Sequence, residues 1–344
     1  ASFRRDILWK LCNGSGSSLH QTLQRVGKSS PLHFPHHRLH LIQIYYQFLR
    51  PTMSQEDTSD QGALIELSIA TCNVLTLKGK DDQLTGLTGV ARQRMLMQQM
   101  KDEGIVLFGL QETRLQKLHS AHDPDYIVFK SAATKQGHYG LIAGFARQKP
   151  YGTVQGQRRK LFFHESHFAI IAYDPRFLLL RVAAPFLRMI VVVAHAPHSG
   201  ADVGELEGWW GALSDAVPPT YRSWPLLLLC DANAAVGAST SMHIGDYQAG
   251  KADDKAAPFE DYIARTGLWL PSTFEQYQKG DGHTWAHTSG SVKRLDYVGL
   301  PLCWKLQTCE AWVSQAIDPA ILRADHSAAC VALPLSLATE TLAN

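Results

Sequence analysis

Residues 226–233, Leu226-Leu227-Leu228-Leu229-Cys230-Asp231-Ala232-Asn233, set a short apolar run directly before an acid and a carboxamide. A run of this length between polar flanks reads as a buried strand rather than a helix. Asp231 and Asn233 then stand where the chain leaves the core. The arrangement recurs along the sequence: Asn73 follows the apolar run 69–72, Gln111 and Glu112 follow 106–110, and His195 follows 190–194. Asp296 falls inside the run 294–298, and Asp325 with His326 precedes 328–333. Singly, each has a plain structural explanation, because Asp and Asn cap turns and a lone His beside a strand is commonly a hydrogen-bonded structural residue. Together, six such exits converging on one sheet edge would gather carboxylates, carboxamides and imidazoles, a set suited to a hard cation and its phosphate ligands.

Outward from this stretch, the apolar runs predict strands at 64–72, 105–110, 126–130, 141–146, 168–173, 177–183, 189–194, 226–230, 295–298, 309–313 and 328–333. Helical spacing is rarer. It predicts a helix over 90–103, with Val90, Met97 and Met100 on one face and Gly104 closing it. A second covers 203–217 through Leu206, Trp210, Leu213 and Val217, and a third covers 258–266, ending at Gly267. The methionines and the Trp209-Trp210 pair read as packing residues. Many strands with about three helices give an α+β body of two packed sheets flanked by helices, without a strict βαβ repeat.

The chain has 344 residues, 45% hydrophobic and 19% charged, which permits a sizeable core and excludes wholesale disorder. No apolar run approaches the roughly 18 residues that a membrane helix needs, so no membrane span or membrane partner is expected. Six cysteines without a C-x-x-C pair signal neither a zinc site nor a disulfide framework. Residues 1–53 carry seven Lys or Arg against the single acid Asp6, whereas 26 basic and 30 acidic residues follow from Ser54 onward. A slightly acidic body is no general polyanion binder, so phosphate chemistry must rest on a local site or a metal. Residues 1–60 are expected to be a poorly ordered basic and His-rich extension, a remnant upstream of the domain, with 61–336 as the domain and 337–344 as a tail.

The ordered motifs Thr71-Cys72-Asn73, Leu110-Gln111-Glu112-Thr113, Ala194-His195-Ala196-Pro197, Cys230-Asp231-Ala232-Asn233, His283-Thr284-Trp285, Arg294-Leu295-Asp296-Tyr297 and Ala324-Asp325-His326-Ser327 resemble those of the endonuclease/exonuclease/phosphatase superfamily. Within it, the stretches 231–237 and 244–246 and the Thr284-Trp285 pair are similar to endonuclease domains of non-LTR (LINE-type) retrotransposons. Cys230 stands where most relatives place Gly, and Ala324 where Ser is common; neither change removes a group the chemistry needs.

The resemblance implies a DNase I-like fold, a four-layer α/β sandwich of two mixed sheets between helices, and a Mg²⁺-dependent phosphodiesterase, with Mn²⁺ as a substitute. It assigns Glu112 as principal cation ligand with Asn73 positioning it, and Asp325 as a further contact. Asp231 would deprotonate the attacking water, Asn233 would donate to the transition state, and His326, held by Asp296, would bind the scissile phosphate. His195 is a phosphate contact in this scheme, and Arg294, Tyr139 and Trp285 are candidate substrate contacts. The leading expectation is a monomeric, nuclear or intracellular endonuclease that nicks DNA, with RNA as the alternative partner, to leave a 3′-hydroxyl and a 5′-phosphate. An abasic-site repair nuclease, a deadenylase, a sphingomyelinase, an inositol phosphatase and a non-catalytic binding scaffold remain as alternatives on the same fold.

Overall fold

A computed structural model of the chain describes residues 62–338, apart from 79–85, 117–118, 199, 238–239, 252, 254, 307 and 322–323. The expected extension, residues 1–60, lies outside the described residues. The chain opens with β1 (Gly62–Asn73), α1 (Gly89–Asp102), β2 (Leu107–Gln111), β3 (His119–His122), β4 (Tyr126–Lys130) and β5 (Ile142–Ala146). Short β6 (Gly152–Val154) and β7 (Lys160–Leu161) precede β8 (Phe168–Tyr173), β9 (Phe177–Ala184) and β10 (Leu187–His195). Then come α2 (Val203–Asp215), β11 (Leu226–Asp231), α3 (Ala256–Arg265), β12 (Leu268–Trp269), β13 (Gln278–Lys279), β14 (Trp285–Ala286) and β15 (Val292–Lys293). The last strands are β16 (Asp296–Pro301), β17 (Glu310–Ser314) and β18 (Ala328–Ala338), the last running into the stretch expected as a tail.

Two sheets form. The first runs β13-β17-β18-β1-β2-β5-β4-β3, with β6 paired to β1 and β7 to β6; the second runs β12-β16-β11-β10-β9-β8. Strand periodicity explains how they stack, because alternate side chains point to opposite faces. Ile65, Leu67 and Ile69 of β1 meet Val191 and Val193 of β10 and Leu227 and Leu229 of β11 in the central core. The intervening residues Ile190, Val192, Leu228 and Cys230 turn away onto Trp210 of α2 and Phe259 and Tyr262 of α3. On the far side, Ala70, Cys72, Phe108 and Leu110 pack on Leu96, Met97 and Met100 of α1. The layers are helix, sheet, sheet, helices, an α+β sandwich. Val90, expected on the buried face of α1, lies in its first turn and is exposed.

Connectivity brings the strand exits together. Strands β1 and β2 are parallel and joined through α1, as β10 and β11 are parallel and joined through α2. Parallel neighbours leave their sheet at the same edge, so Asn73 lies opposite Gln111 and His195 opposite Asp231. Strand β16 runs antiparallel to β11 and starts where β11 ends, placing Asp296 opposite Asp231. Strand β18 likewise runs antiparallel to β1, so His326 enters at the edge where Asn73 leaves.

Directly beneath this edge the sheets approach closely. A Cβ on Gly109 would lie 2.8 Å from Leu229 Cβ and 3.1 Å from Val193 Cγ1, so the contact requires glycine. One turn above, the buried Gln111 donates through Nε2 to Thr71 Oγ1 at 2.9 Å in its own sheet and to the Leu229 carbonyl at 3.2 Å in the other. Gln111 therefore crosslinks the layers, whereas its neighbour Glu112 faces the cleft.

Candidate active site

The strand exits line an open cleft of about 570 Å³. Nine of the eleven residues singled out from the sequence are on its wall: Asn73, Glu112, Tyr139, His195, Asp231, Asn233, Trp285, Asp325 and His326. Asp296 is fully buried behind His326, to which it is bonded. Arg294 is elsewhere. Its guanidinium is buried and donates to the Gly282 carbonyl at 2.9 Å and to the Tyr247 carbonyl at 3.2 and 3.3 Å, so it pins two loops.

Asp231 is the centre of the site. It is 1% exposed, and both of its oxygens are oriented. Asn73 Nδ2 donates to Oδ2 at 2.9 Å, and the Asn233 backbone N–H donates to Oδ1 at 2.9 Å. Asn73 thus orients Asp231, while its Oδ1 accepts from the Leu75 amide. Burial, reinforced by the charge of Asp296, pushes the Asp231 carboxyl above the usual carboxylate range, although His326, His195 and Asn73 act against it.

His326 balances that charge. Its Nδ1 bonds Asp296 Oδ2 at 2.8 Å, and its Nε2 lies 4.0 Å from Asp231 Oδ2. Burial disfavours the imidazolium, but the charge and hydrogen bond of Asp296 outweigh it and push the imidazole up to about 10. His326 is a cation at neutral pH. His195 behaves oppositely: its Nε2 lies 3.5 Å from Glu112 Oε1 and 3.7 Å from Asp231 Oδ2, yet burial holds its pKa below the ordinary value. That direction favours the uncharged imidazole, set between two carboxylates.

Five wall residues occupy left-handed backbone: Leu75 at φ +56°, Glu112 at +54°, Arg114 at +55°, Tyr139 at +66° and Asn233 at +48°. Only surrounding structure can hold side-chain-bearing residues there. For Asn233 it is the Nδ2 bond to the Ala196 carbonyl at 3.0 Å, with Asp253 Oδ2 accepting from the Ala235 amide at 3.1 Å. For Glu112 it includes Arg114, whose Nη2 lies 3.1 Å from Oε2. Trp285 donates Nε1 to Asp325 Oδ2 at 3.0 Å. The other oxygen, Asp325 Oδ1, is buried without a hydrogen-bond partner. An orphaned carboxylate oxygen on the same wall as Glu112 is the donor type a hard divalent cation takes, so these residues fit one.

The sequence reading passed over the basic wall. Arg114, Arg176 and Lys293 line the cleft with His138 and His198. Arg176 lies over the Tyr139 ring, its Cζ 3.9 Å from the centroid, and donates to the Tyr139 hydroxyl. The signal was present: Asp174-Pro175-Arg176 is a turn between two strands, and Asp174 Oδ1 accepts from the Phe177 amide at 2.8 Å.

No protein-family model matches the sequence, and no curated protein matches it. Solved structures do match. An AP endonuclease, LMAP, from Leishmania major superposes with a TM-score of 0.53 at 15% identity, over 79% of this chain and 88% of the other. A 3′-5′ exonuclease, NExo, from Neisseria meningitidis gives 0.50 at 19% identity, over 78% and 99%. The endonuclease domain of TRAS1, a telomere-specific non-LTR retrotransposon, gives 0.49 at 13%, over 78% and 98%. The fold is that of the endonuclease/exonuclease/phosphatase, or DNase I-like, proteins.

Proposed function

We propose that the chain is a Mg²⁺-dependent phosphodiesterase that cuts DNA internally, leaving a 3′-hydroxyl and a 5′-phosphate. The observation that carries the reading is Asp231, a buried carboxylate oriented at both oxygens beside an imidazole that Asp296 keeps charged. Hydrolysis of a phosphodiester needs a base for the attacking water and positive charge for the phosphoryl oxygens. Asp231, with its raised proton affinity, takes the proton as water attacks phosphorus and the bond to the 3′-oxygen breaks. His326 supplies the charge through Nε2, and Asn233, one of whose two amide N–H groups donates to the Ala196 carbonyl, turns the second to the same phosphate.

Glu112 and Asp325 are the residues that would hold the cation. Mg²⁺, or Mn²⁺ in its place, supplies positive charge to the phosphate and to the departing 3′-oxygen when bound. Asp231, Asp296 and His326 also bring ligand atoms within 4.8 Å of one another. His326 Nδ1 and Asp296 Oδ2 are engaged with each other and Asn73 engages Asp231 Oδ2, so in this reading that trio handles the proton and the phosphate instead. The basic wall of Arg114, Arg176 and Lys293 supports a polyanionic substrate. The motif likeness to LINE-type endonuclease domains supports a nick whose 3′-hydroxyl primes reverse transcription.

The test is nicking of supercoiled plasmid by the full chain with Mg²⁺, with EDTA, and with Asp231→Asn. The expected result is Mg²⁺-dependent nicking, ends extendable by a polymerase, and loss of about 10²-fold or more in the variant. Cleavage confined to an abasic-site oligonucleotide run in parallel would move the activity to repair. A folded protein that cuts neither would overturn the reading.

A further inference from the structure

His326 and Asp296 enter the cleft from different sheets: Asp296 opens β16 in the second, while His326 immediately precedes β18 in the first. Their 2.8 Å hydrogen bond therefore depends on how the two strand ends are registered. Thr284 is the residue that touches both. It is 2% exposed, and its Oγ1 accepts from the Leu295 and Asp296 amides, each at 3.0 Å. Its carbonyl accepts from the Ser327 amide, next to His326, at 2.7 Å, and its own amide donates to the Lys293 carbonyl at 2.9 Å. One residue later, Trp285 bridges to His326, and the Ala286 amide donates to the Asp325 carbonyl at 2.9 Å.

We infer that Thr284 is a positioning residue for the His326–Asp296 pair, an inference that rests on the phosphodiesterase reading of that pair. One hydroxyl accepting two successive amides fixes the backbone from which the Asp296 side chain starts, and one carbonyl fixes the backbone that carries His326. Valine has the shape of threonine without the oxygen, so Thr284→Val leaves two buried amides without their acceptor and frees the β16 end to shift. Serine keeps the oxygen and loses only a methyl group.

The experiment compares Thr284→Val, Thr284→Ser and wild type as full chains. Thr284→Val is expected to lower kcat by about 10²-fold, with KM held within about twofold, because a group displaced after binding costs turnover. Thr284→Ser is expected to restore kcat to within about threefold of wild type. An independent readout is the imidazole Nδ1 proton of His326 in ¹⁵N-histidine-labelled protein with EDTA, assigned by its loss in His326→Gln. That line is expected downfield and slowly exchanging in wild type and Thr284→Ser, and lost to exchange in Thr284→Val. A line unchanged in Thr284→Val, or a serine variant no better than valine, would overturn the inference. Should Thr284→Val fail to fold, Thr284→Cys, which keeps a weak acceptor in the same place, is read by the same two criteria. Should the wild type prove inactive, the phosphodiesterase reading fails while the imidazole line still tests Thr284.

Discussion

Asn73, at the end of β1, donates its side-chain amide to Asp231 Oδ2 at the end of β11, 2.9 Å away, and so fastens the first sheet to the second at the cleft. A carboxylate held this way presents a fixed lone pair, which is what a base needs before the water arrives.

Asn73→Ala is expected to lower kcat by about 10- to 100-fold, the usual cost of removing an orienting partner, without moving the Mg²⁺ concentration that half-saturates nicking. Glu112→Gln is expected to move that concentration upward. Titrations of the nicking rate with Mg²⁺ separate the two; a shifted Mg²⁺ requirement in Asn73→Ala would assign that residue to the cation instead.

His326 sets a pH dependence of stability. Its imidazole is pushed from 6.5 up to about 10 by Asp296 against the cost of burial. A raised folded-state pKa contributes stability that is fully present below about 6.5 and lost as pH climbs through about 10. Between pH 7 and 10 the urea midpoint of wild type in EDTA should fall further than that of His326→Gln. Equal slopes would mean the pair is not charged in the folded protein.

The two classes of arginine should separate cleanly. Arg294→Ala is expected to destabilise the fold by about 2 kcal/mol, the scale of hydrogen bonds to a buried charged group, while leaving the salt dependence of DNA binding unchanged. Arg176→Ala is expected to weaken binding and to reduce the slope of log K against log salt by about 0.9, one phosphate contact. Denaturation and salt-series binding measurements on both variants check this.

Gly109 lies where the sheets come closest. Gly109→Ala places a methyl group 2.8 Å from Leu229 Cβ, and overpacking of this kind costs about 1–3 kcal/mol. Because the clash lies under Asn73, Glu112 and Asp231, nicking should fall together with the thermal midpoint. A loss of stability with full activity would show that the sheets can separate there without disturbing the site.

Much of this site was legible because a buried strand announces its own end. The run 226–230 could only be core, so Asp231 had to be at an exit, and the parallel pairs β1–β2 and β10–β11 placed four exits on one edge. Side-chain allegiance was not legible. Arg294 and Arg176 are alike as residues, and only the fold reveals that one is buried against the Gly282 and Tyr247 carbonyls while the other lies over Tyr139 in the cleft wall. Gln111 and Glu112 are neighbours of similar polarity, yet Gln111 ends β2 with its side chain between the sheets, while Glu112, just past the strand in left-handed backbone, faces the cleft. Short strands such as β6, β7 and the β14–β15 pair carry too few residues for a period to show.

The left-handed backbone at Glu112, Tyr139 and Asn233 has an evolutionary consequence. Glycine would relax each of these positions, since it alone adopts that conformation at no steric cost. A laboratory selection for heat resistance alone would therefore drift toward glycine at 112, 139 and 233 and arrive at a hardier protein with an emptied cleft.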